Sequence, residues 1–484
     1  MTIDRRYYLR AYGCQMNLYE ADLVRGILED QGYQEVPVPE DAGVVLLITC
    51  SVRAHAEQRA LGRLQNLSAQ KRTRPDLVLA VLGCMAQQRA QELANGLGAD
   101  LVLGPDEYRN LPELIERYRN EHRPQVATRL SAECYDGLLP QVSSAVTGLV
   151  TIMRGCDNYC AYCIVPYVRG RERSKSVSSV LAEVRHLQNS GVKDITLVGQ
   201  NVLAYTDSSS ADCADYTDHQ SAKSADRNSL PDRDAGKSGT VPACGLSPYF
   251  PGLDTCDFLT LLRRVDEIAG DTRIRFLTSH PKDVTPELAQ GLGTIRSLCP
   301  HIHLPLQSGS NRILAAMNRR YTRKQYLERV SLLRQAIPEL SLTTDILVAF
   351  PGEDDADFEQ TLEVVEQTGF DFAYMFRYSE RPGTRAADIE PRVPDEIGRR
   401  RLARLIQVQN RITRARTERL VGRTVEVLVE KQRGPDYLAR TRSDKVVALK
   451  SPVPIGTVLN AMITGVQGWT PIAEPVAERK TQGG

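Results

Sequence analysis

Apolar and polar positions alternate over the first 118 residues in the manner of parallel α/β proteins. Apolar runs at 7–14, 44–50 and 77–84 are separated by amphipathic stretches such as 21–32. Apolar runs joined by helix-length amphipathic stretches predict parallel strands connected by helices. We therefore expect an N-terminal parallel α/β sheet domain over residues 5–120.

A second series of apolar runs follows a polar connection at 119–145. Its six members alternate with helical patterns and lie at 148–155, 195–200, 274–279, 301–307, 342–350 and 372–379. Six strand-helix units predict a central open (β/α)6 barrel, with its domain over 142–412. Barrel enzymes carry their active groups where strands end, so candidate site residues are Gln200, Asn201, Ser279, Gln307 and Asp345.

Two further segments depart from this rhythm. Residues 205–247 are dense in Ser, Asp, Gly and Lys without an amphipathic period, which predicts a disordered surface insertion. From Arg399 to Arg423 a strongly basic helix is predicted, and five short runs of strand character come after it. These runs predict a small antiparallel β-barrel, a third domain at 415–477.

Composition narrows the class of protein. The 484 residues carry 61 basic and 60 acidic side chains, a net charge of +1, so any nucleic-acid surface must come from local clustering. The sequence has neither a signal peptide nor a run of about 18 apolar residues, so we expect a cytoplasmic protein without a membrane segment. Eleven cysteines, an odd count, make a disulfide framework improbable and favour metal binding where cysteines are grouped.

The strongest chemical signal is a cysteine triplet at 156, 160 and 163. Three closely spaced thiolates can hold three irons of a [4Fe-4S] cluster and leave the fourth iron open, whereas electron-transfer clusters take four cysteines. Nearby arginines at 154, 169, 171 and 173 would favour thiolates and a carboxylate-bearing ligand. The competing interpretation is a zinc or redox-thiol site, but no fourth zinc ligand stands nearby.

A second triplet, Cys14, Cys50 and Cys84, follows three successive predicted strands. Carboxyl ends of parallel strands form one edge of a sheet, where ligands bind, so these thiols should converge and hold a second three-cysteine cluster. Glycine precedes two of them and permits tight turns. Buried structural cysteines are the alternative, and Cys213 and Cys244 in the insertion are more simply bystanders.

Softer signals surround these triplets. The polar residues at strand ends could instead cap the following helices, and His280, His301 and His303 are by default packing histidines. The basic helix could be merely a solvated face. Concentrated arginine nevertheless favours binding of an RNA backbone, and the candidate contacts are Arg411, Arg414, Arg416, Arg440 and Arg442.

The triplet 156–163, with Tyr162 before its last cysteine, resembles the radical S-adenosylmethionine superfamily. Both triplets together are similar to the methylthiotransferase family over almost the whole chain, and the matching segments are 13–17 (GCQMN), 49–53, 155–174, 197–201, 278–281, 303–310, 317–323 and 381–387 (RPGTRAA). The segment GCQMN points to the members that act on tRNA. The family usually has Asn at Ile48 and Gly at Ala349, and it lacks the insertion.

This resemblance implies a function. It implies two [4Fe-4S] clusters, S-adenosylmethionine contacts that include Tyr162 and the strand-end residues, and a C-terminal RNA-binding barrel of the TRAM type. The expected reaction is methylthiolation of C2 of N6-isopentenyl (dimethylallyl) adenosine beside the tRNA anticodon, with S-adenosylmethionine as methyl donor and radical source. Implied partners are this tRNA, a flavodoxin-type electron donor, and proteins that assemble iron-sulfur clusters or supply sulfur. Competing functions are methylthiolation of threonylcarbamoyl-adenosine or of a ribosomal-protein aspartate, and a non-catalytic iron-sulfur protein that binds RNA or senses redox state.

Overall fold

The N-terminal part of the chain is a six-stranded, wholly parallel sheet with the order β2-β1-β3-β4-β5-β6. The computed structural model describes residues 4–52, 54–207 and 255–476. The strands are β1 Arg6–Ala11, β2 Gln34–Glu35, β3 Val44–Thr49, β4 Val78–Gly83, β5 Leu101–Leu103 and β6 Gln125–Ala127. The helices are α1 Gln15–Asp30, α2 Ala54–Gln70, α3 Cys84–Gln88, α4 Ala90–Gly96 and α5 Leu111–Glu121.

Burial explains why the two central strands are apolar throughout. Every residue of β3 and β4 is buried, because helices cover both faces of the sheet and a separate apolar cluster fills each side. The predicted α/β class is correct. The N-terminal domain was predicted to end at residue 120, with a polar connection at 119–145. Both predictions miss strand β6, which lies in that connection and pairs with β5.

The central part is built from two three-stranded parallel sheets, β13-β10-β7 and β14-β15-β16. A parallel bridge between Ile274 and Leu298 joins them, which completes the predicted open six-stranded barrel. The six strands are β7 Thr147–Thr151, β10 Asp194–Val198, β13 Arg273–Phe276, β14 His301–His303, β15 Ser341–Val348 and β16 Phe372–Arg377; the short strands are β8 Met153–Arg154, β9 Arg173–Ser174, β11 Thr206–Asp207 and β12 Cys256–Asp257.

Helices pack on the outside of this barrel around one continuous apolar cluster. They are α7 Val177–Asn189, α8 Phe258–Ala269, α9 Pro286–Leu292, α10 Asn311–Ala316, α11 Arg323–Ala336 and α12 Asp355–Thr368; the short helix α6 Val165–Arg169 instead packs against α3. Several begin at a side-chain cap; for example, Thr322 and Gln325 form a reciprocal capping box at the start of α11.

The predicted insertion starts later than the sequence pattern suggests. Tyr205 is buried and its hydroxyl donates to the Lys175 carbonyl oxygen at 2.7 Å, and β11 pairs with β12. These contacts make residues 205–207 part of the barrel domain, which corrects the predicted start. The rest of the predicted insertion, 208–247, lies outside the described residues.

A 24-residue helix, α13 Asp395–Glu418, leads to a closed C-terminal barrel with the order β17-β18-β19-β21-β20. Its strands are β17 Thr424–Arg433, β18 Asp436–Thr441, β19 Val446–Leu449, β20 Val458–Gln467 and β21 Thr470–Pro475. The barrel was predicted as antiparallel, but β19 and β21 pair in parallel. In the described part of the chain no helix is both long and apolar enough to cross a membrane.

The turn between β18 and β19 closes the N-terminal end of the central barrel. Arg275 of β13 pairs with Asp194 at 2.9 Å and donates to the carbonyl oxygens of Thr441 and Arg442 at 2.9 Å each. Because Arg275 and Asp194 are both nearly inaccessible to solvent, this contact fixes the C-terminal barrel beneath the strands. The opposite end, where the strands terminate, stays available for a site.

Candidate functional site

The first cysteine triplet lies at one edge of the N-terminal sheet. Cys50 and Cys84 immediately follow β3 and β4, and Cys14 stands three residues beyond β1, on the neighbouring strand. A Cβ atom added to Gly13 would overlap the Cβ atom of Cys50, so Cys14 and Cys50 are packed closely together. The topology thus brings the three thiols to one place.

The electrostatics of this triplet favour a thiolate. The Cys50 thiol hydrogen-bonds the Cys14 sulfur and, with the Arg169 guanidinium, lowers the pKa of Cys14 to about 6. The same hydrogen bond raises the pKa of Cys50, and burial raises that of Cys84. Thiolates are the metal-binding form of cysteine, and iron itself would deprotonate the remaining thiols.

Gly83 sets the position of Cys84. Its backbone has φ +95° and ψ −156°, a conformation open almost only to glycine. A Cβ atom there would lie 2.6 Å from the Thr49 carbonyl oxygen. Glycine is therefore required before this cysteine, as predicted, because any side chain would push β3 and β4 apart.

The second triplet occupies one loop between β8 and α6. The Cys163 amide donates to the Cys160 carbonyl oxygen at 2.9 Å, which folds the loop back on itself. The Asn158 side-chain amide lies 3.4 Å from the Cys156 sulfur, and the Arg319 guanidinium lies 3.3 Å from that of Cys160. Both contacts put hydrogen-bond donors on sulfur, as iron-sulfur centres use them.

Burial raises the pKa of two thiols of the second triplet. The pKa of Cys156 is raised, and burial, with the neighbouring Cys160, raises that of Cys163 to about 12. Among the described residues no three His, Cys, Asp or Glu side chains converge on a single metal ion. A cubane cluster spreads its ligands wider, because each sulfur binds a different iron, so two all-cysteine triplets fit clusters better than zinc.

Polar atoms without partners line the ends of the barrel strands. Gln200 Oε1, Asn201 Oδ1, Ser279 Oγ and His280 Nε2 are buried and have no hydrogen-bond partner among the described residues. Neither Asn201 nor Ser279 caps a helix, so the capping alternative is wrong for both. Buried polar atoms without partners are costly, and their grouping at one rim is typical of a ligand site.

The other two strand-end candidates are placed differently. Gln307 has φ +67° and its backbone pairs beside Ile346. Asp345 lies inside β15, not at its end, with its carboxylate 3.3 Å from His303 Nε2. The sequence pattern misplaced Asp345 because the run 342–350 continues past the carboxylate without a polar break.

The histidines divide into two kinds. His301 and His303 both contact the Thr343 hydroxyl, at 2.9 and 3.0 Å, which is the satisfied packing role expected for them. His280 accepts from the Lys282 amide at 3.2 Å through Nδ1 only. Burial lowers the pKa of His280, so it presents a neutral ring at the rim.

Tyr162 and Arg319 lie next to the second triplet. Tyr162 packs with Phe350 and Ile313 in a small apolar cluster, and its hydroxyl lies 3.5 Å from the Arg319 guanidinium. Arg319 is buried and was not identified from the sequence. The available signal was its place in the matching segment 317–323. No helical pattern covers that segment, so a solvated helix face does not account for a charged residue there.

The arginines around the second triplet mostly do not serve it. Arg154 and Arg169 bind Glu20 of α1 at 3.0 and 2.7 Å, and Arg173 binds Asp106. Arg171 is exposed and pairs with Asp157 at 2.8 Å. The expectation that all four add charge to the 156–163 loop is therefore wrong, because three of them face the N-terminal domain.

The two triplets meet across a pair of short helices. Helix α3 begins with Cys84, α6 begins two residues after Cys163, and Cys84 packs against Ile164 and Val168. Arg169, the last residue of α6, donates from Nε to the Cys84 sulfur at 3.2 Å. Both triplets thus lie at the junction of the N-terminal domain and the barrel.

The segment 381–387 contacts both neighbourhoods. Arg381 donates to the Val52 carbonyl oxygen at 3.0 Å, two residues beyond Cys50. The Ala386 amide donates to the Ala161 carbonyl oxygen at 2.8 Å, within the 156–163 loop. This segment therefore contacts the surroundings of both cysteine sites.

An aromatic surface on the last barrel strand was not anticipated. Phe372, Tyr374 and Phe376 are 45%, 50% and 45% exposed. Ala373 and Met375, between them, pack in the core, so the three rings share the face that looks into the barrel. The alternation in 372–379 is visible in the sequence, but it does not say which face is covered.

The predicted RNA-contacting arginines fall into two groups. Arg411 and Arg414 are largely exposed and pair with acidic neighbours on helices. Arg416 is half-buried against Asp371. Arg440 is held between Glu430 and Asp444, and Arg442 donates to carbonyl oxygens at 296–298. The side chains of the last three are held by contacts within the protein, mostly between domains, which disfavours the RNA contacts predicted for them.

Comparison with known proteins gives consistent matches. The model described as "Radical SAM superfamily" matches residues 150–365, and "Uncharacterized protein family UPF0004" matches 6–104. Proteins named tRNA-2-methylthio-N(6)-dimethylallyladenosine synthase are 40% identical in Moorella thermoacetica (96% of this chain, 97% of that protein) and 38% in Bacteroides fragilis (98% and 96%). The structure of the radical S-adenosylmethionine methyltransferase TsrM from Kitasatospora setae, with cobalamin and a [4Fe-4S] cluster bound, aligns at TM-score 0.54 with 14% identity (80% of this chain, 77% of that one). This likeness concerns the fold alone.

Proposed function

The chain belongs to the tRNA-2-methylthio-N(6)-dimethylallyladenosine synthase family, and we propose that it inserts a methylthio group at C2 of isopentenyl-adenosine next to the tRNA anticodon. The observation that carries this proposal is the junction, where two separate cysteine triplets lie beside the packed helices α3 and α6. One triplet would suffice for radical generation. A second triplet beside it is what a sulfur-inserting enzyme requires.

The residues that hold the cofactors follow from the two loops. Cys156, Cys160 and Cys163 would bind the radical [4Fe-4S] cluster, and the triplet of the N-terminal sheet would bind an auxiliary one. When bound, these clusters and S-adenosylmethionine supply the adenosyl radical, the methyl group and the sulfur. Separate positions keep the radical source and the sulfur donor apart until substrate arrives between them.

The unpartnered polar rim would bind S-adenosylmethionine. The oxygens of Gln200, Asn201 and Ser279 are buried without partners, so a ligand that supplies amino and hydroxyl donors would satisfy them. His280, whose Nδ1 accepts from the Lys282 amide, would offer its Nε2–H as a donor to the ligand. Arg319, which donates to the Cys160 sulfur, would hold the loop in place while the ligand binds.

The prenylated base would bind against the aromatic face of β16. Aromatic side chains stack on bases, and each stacked base contributes about 1–3 kcal/mol. Phe372, Tyr374 and Phe376 also offer apolar area to a five-carbon prenyl chain. Asp345 lies on the same face, since it is paired with Tyr374 in register, and its carboxylate can accept a hydrogen bond from a base edge.

The remaining elements would serve the RNA and the electron supply. Arg411 and Arg414 on α13 are exposed enough to contact phosphates, and the C-terminal barrel would extend that surface in the manner of a TRAM domain. An electron donor of the flavodoxin type and proteins that supply iron, sulfide or sulfur are the expected partners. The tRNA substrate implies a cytoplasmic enzyme.

Two measurements test this function. Nucleoside mass spectrometry of a deletion strain complemented with the gene should show 2-methylthio-isopentenyl-adenosine restored; restoration of a methylthio group only on threonylcarbamoyl-adenosine, or on a ribosomal protein, would contradict the proposed substrate. Iron and sulfide analysis of anaerobically reconstituted protein should give about eight irons per chain, two [4Fe-4S] clusters.

Cysteine variants separate the two sites. Cys156→Ala should abolish release of 5′-deoxyadenosine from S-adenosylmethionine, because it removes a ligand of the radical cluster. Cys14→Ala should leave that release measurable and block methylthiolation. Equal loss of both activities in a folded Cys14→Ala protein would refute separate roles, and no release from the unsubstituted protein would indicate a non-catalytic RNA-binding protein.

A further inference from the structure

Arg169 binds two groups of the N-terminal domain at once. Its guanidinium, 2% exposed as a residue, spans both carboxylate oxygens of Glu20 at 2.7 and 3.1 Å. The remaining Nε donates to the Cys84 sulfur at 3.2 Å. The two-pronged pairing with a carboxylate fixes the plane of the guanidinium, and this plane aims Nε at the sulfur.

The charges around this contact do not balance without the sulfur. Three guanidinium groups, those of Arg154, Arg169 and Arg173, face two carboxylates, those of Glu20 and Asp106. The surplus is one positive charge, in a region where both carboxylates are inaccessible and the arginines nearly so. A buried charge without a counter-charge is costly, and Cys84 is the group towards which this surplus is directed.

We propose that Arg169 is a positioning residue of the auxiliary centre: held by Glu20, it directs its positive charge at the Cys84 sulfur and raises the reduction potential of the cluster there. The inference rests on the proposed function, in which Cys14, Cys50 and Cys84 hold that cluster. Hydrogen bonds to ligand sulfurs and local net charge are the factors through which proteins set such potentials. Reduction adds negative charge to the cluster, so a fixed positive charge stabilises the reduced state.

The position of Arg169 in the chain links this potential to domain docking. Arg169 ends α6, the helix that starts just after Cys163, whereas Glu20 and Cys84 belong to the N-terminal sheet domain. The contact exists only while the two domains are packed together. The auxiliary cluster therefore has its raised potential only when it faces the radical site.

The test uses the full chain with Cys156, Cys160 and Cys163 changed to Ala, so that only the auxiliary cluster is present. In this background we would measure the midpoint potential by redox titration monitored by electron paramagnetic resonance. Arg169→Gln should shift the one-electron equilibrium about tenfold towards the oxidised cluster, which is about 59 mV lower. Arg173→Gln is the matched control, because it removes an equal charge and an interdomain ion pair but no contact with Cys84; its shift should be under about a third as large.

A charge-conserving variant makes the result decisive. Arg169→Lys keeps the positive charge beside Glu20 but lacks the planar fork that reaches both carboxylate oxygens and the Cys84 sulfur, so its potential should lie between those of the unsubstituted background and Arg169→Gln. General loosening of the junction would instead lower the potential equally in both variants. If Arg169→Gln assembles no cluster, a potential of Arg169→Lys below that of the background and below that of Arg173→Gln supports the role. Equal shifts in Arg169→Gln and Arg173→Gln, no shift in either, or equal shifts in Arg169→Gln and Arg169→Lys would overturn the role of Arg169. Absence of about four irons in the unsubstituted background would instead refute the auxiliary cluster itself.

Discussion

Replacement of Gly83 by alanine should open the N-terminal sheet beside the auxiliary site. The glycine conformation, φ +95° and ψ −156°, costs another residue about 1–3 kcal/mol. The new Cβ atom would also lie 2.6 Å from the Thr49 carbonyl oxygen. Because Thr49 and Gly83 are paired in the β3–β4 ladder, relief of that overlap loses at least one backbone hydrogen bond, about 1 kcal/mol. The sum is about 3 kcal/mol.

Hydrogen-deuterium exchange with mass spectrometry measures this effect locally. Peptides that cover β3 and β4 should exchange about 100-fold faster in Gly83→Ala, since every 1.4 kcal/mol is about tenfold. Gly191→Ala is the matched control: its φ of +88° is also positive, but a Cβ atom there meets nothing within 4 Å, so only about 1–2 kcal/mol of backbone strain remains. If the exchange rates of β3 and β4 in Gly83→Ala rise less than about fivefold above those of the unsubstituted protein, the overlap argument is refuted.

Four further predictions concern the barrel. Ala349→Gly should raise the melting temperature, by about 1 kcal/mol of stability, because Ala349 has φ +58°; an unchanged melting temperature would contradict this strain. Asp194→Ala should cost about 3–5 kcal/mol, since it strips buried Arg275 of the closer of its two carboxylate partners, the other being Asp444 at 3.6 Å, and limited proteolysis should then release the C-terminal barrel, whereas an unchanged digest would argue against that contact. Burial lowers the pKa of His301 from 6.5 to about 4, so up to about 3 kcal/mol of stability is present above pH 6.5 and lost as pH falls towards 4; thermal unfolding of His301→Gln should lack this pH dependence. Tyr374→Ala should raise KM for prenylated tRNA while cleavage of S-adenosylmethionine without RNA persists, and equal loss of both would remove the stacking role.

The sequence pattern predicted most strands because their apolar runs are long or fully buried. It missed β6, Gln125–Ala127, since three residues are too few to show a periodic pattern. The convergence of Cys14, Cys50 and Cys84 could be predicted because strand ends in a parallel sheet share an edge, and the second triplet because its cysteines are close together in sequence.

The partners of charged side chains could not be predicted in this way. Arg169 and Arg171 are two residues apart in one motif, yet one is buried against Glu20 and the other is exposed with Asp157. Glu20 itself reads as an ordinary polar position in an amphipathic helix. Which face of α1 is covered depends on how the two domains dock, and no local pattern records that arrangement.

The turn of the C-terminal barrel beneath Arg275 has a consequence for how an RNA can be modified. With the lower end of the central barrel closed by the backbone at 441–442, its interior is a dead end that no continuous strand can thread. A nucleoside that reaches the aromatic face must therefore leave the base stack of its loop and enter alone, as bases do in other enzymes that act on them. Unstacking of the anticodon loop then becomes part of substrate selection, because a loop that keeps its bases stacked would not deliver the adenine.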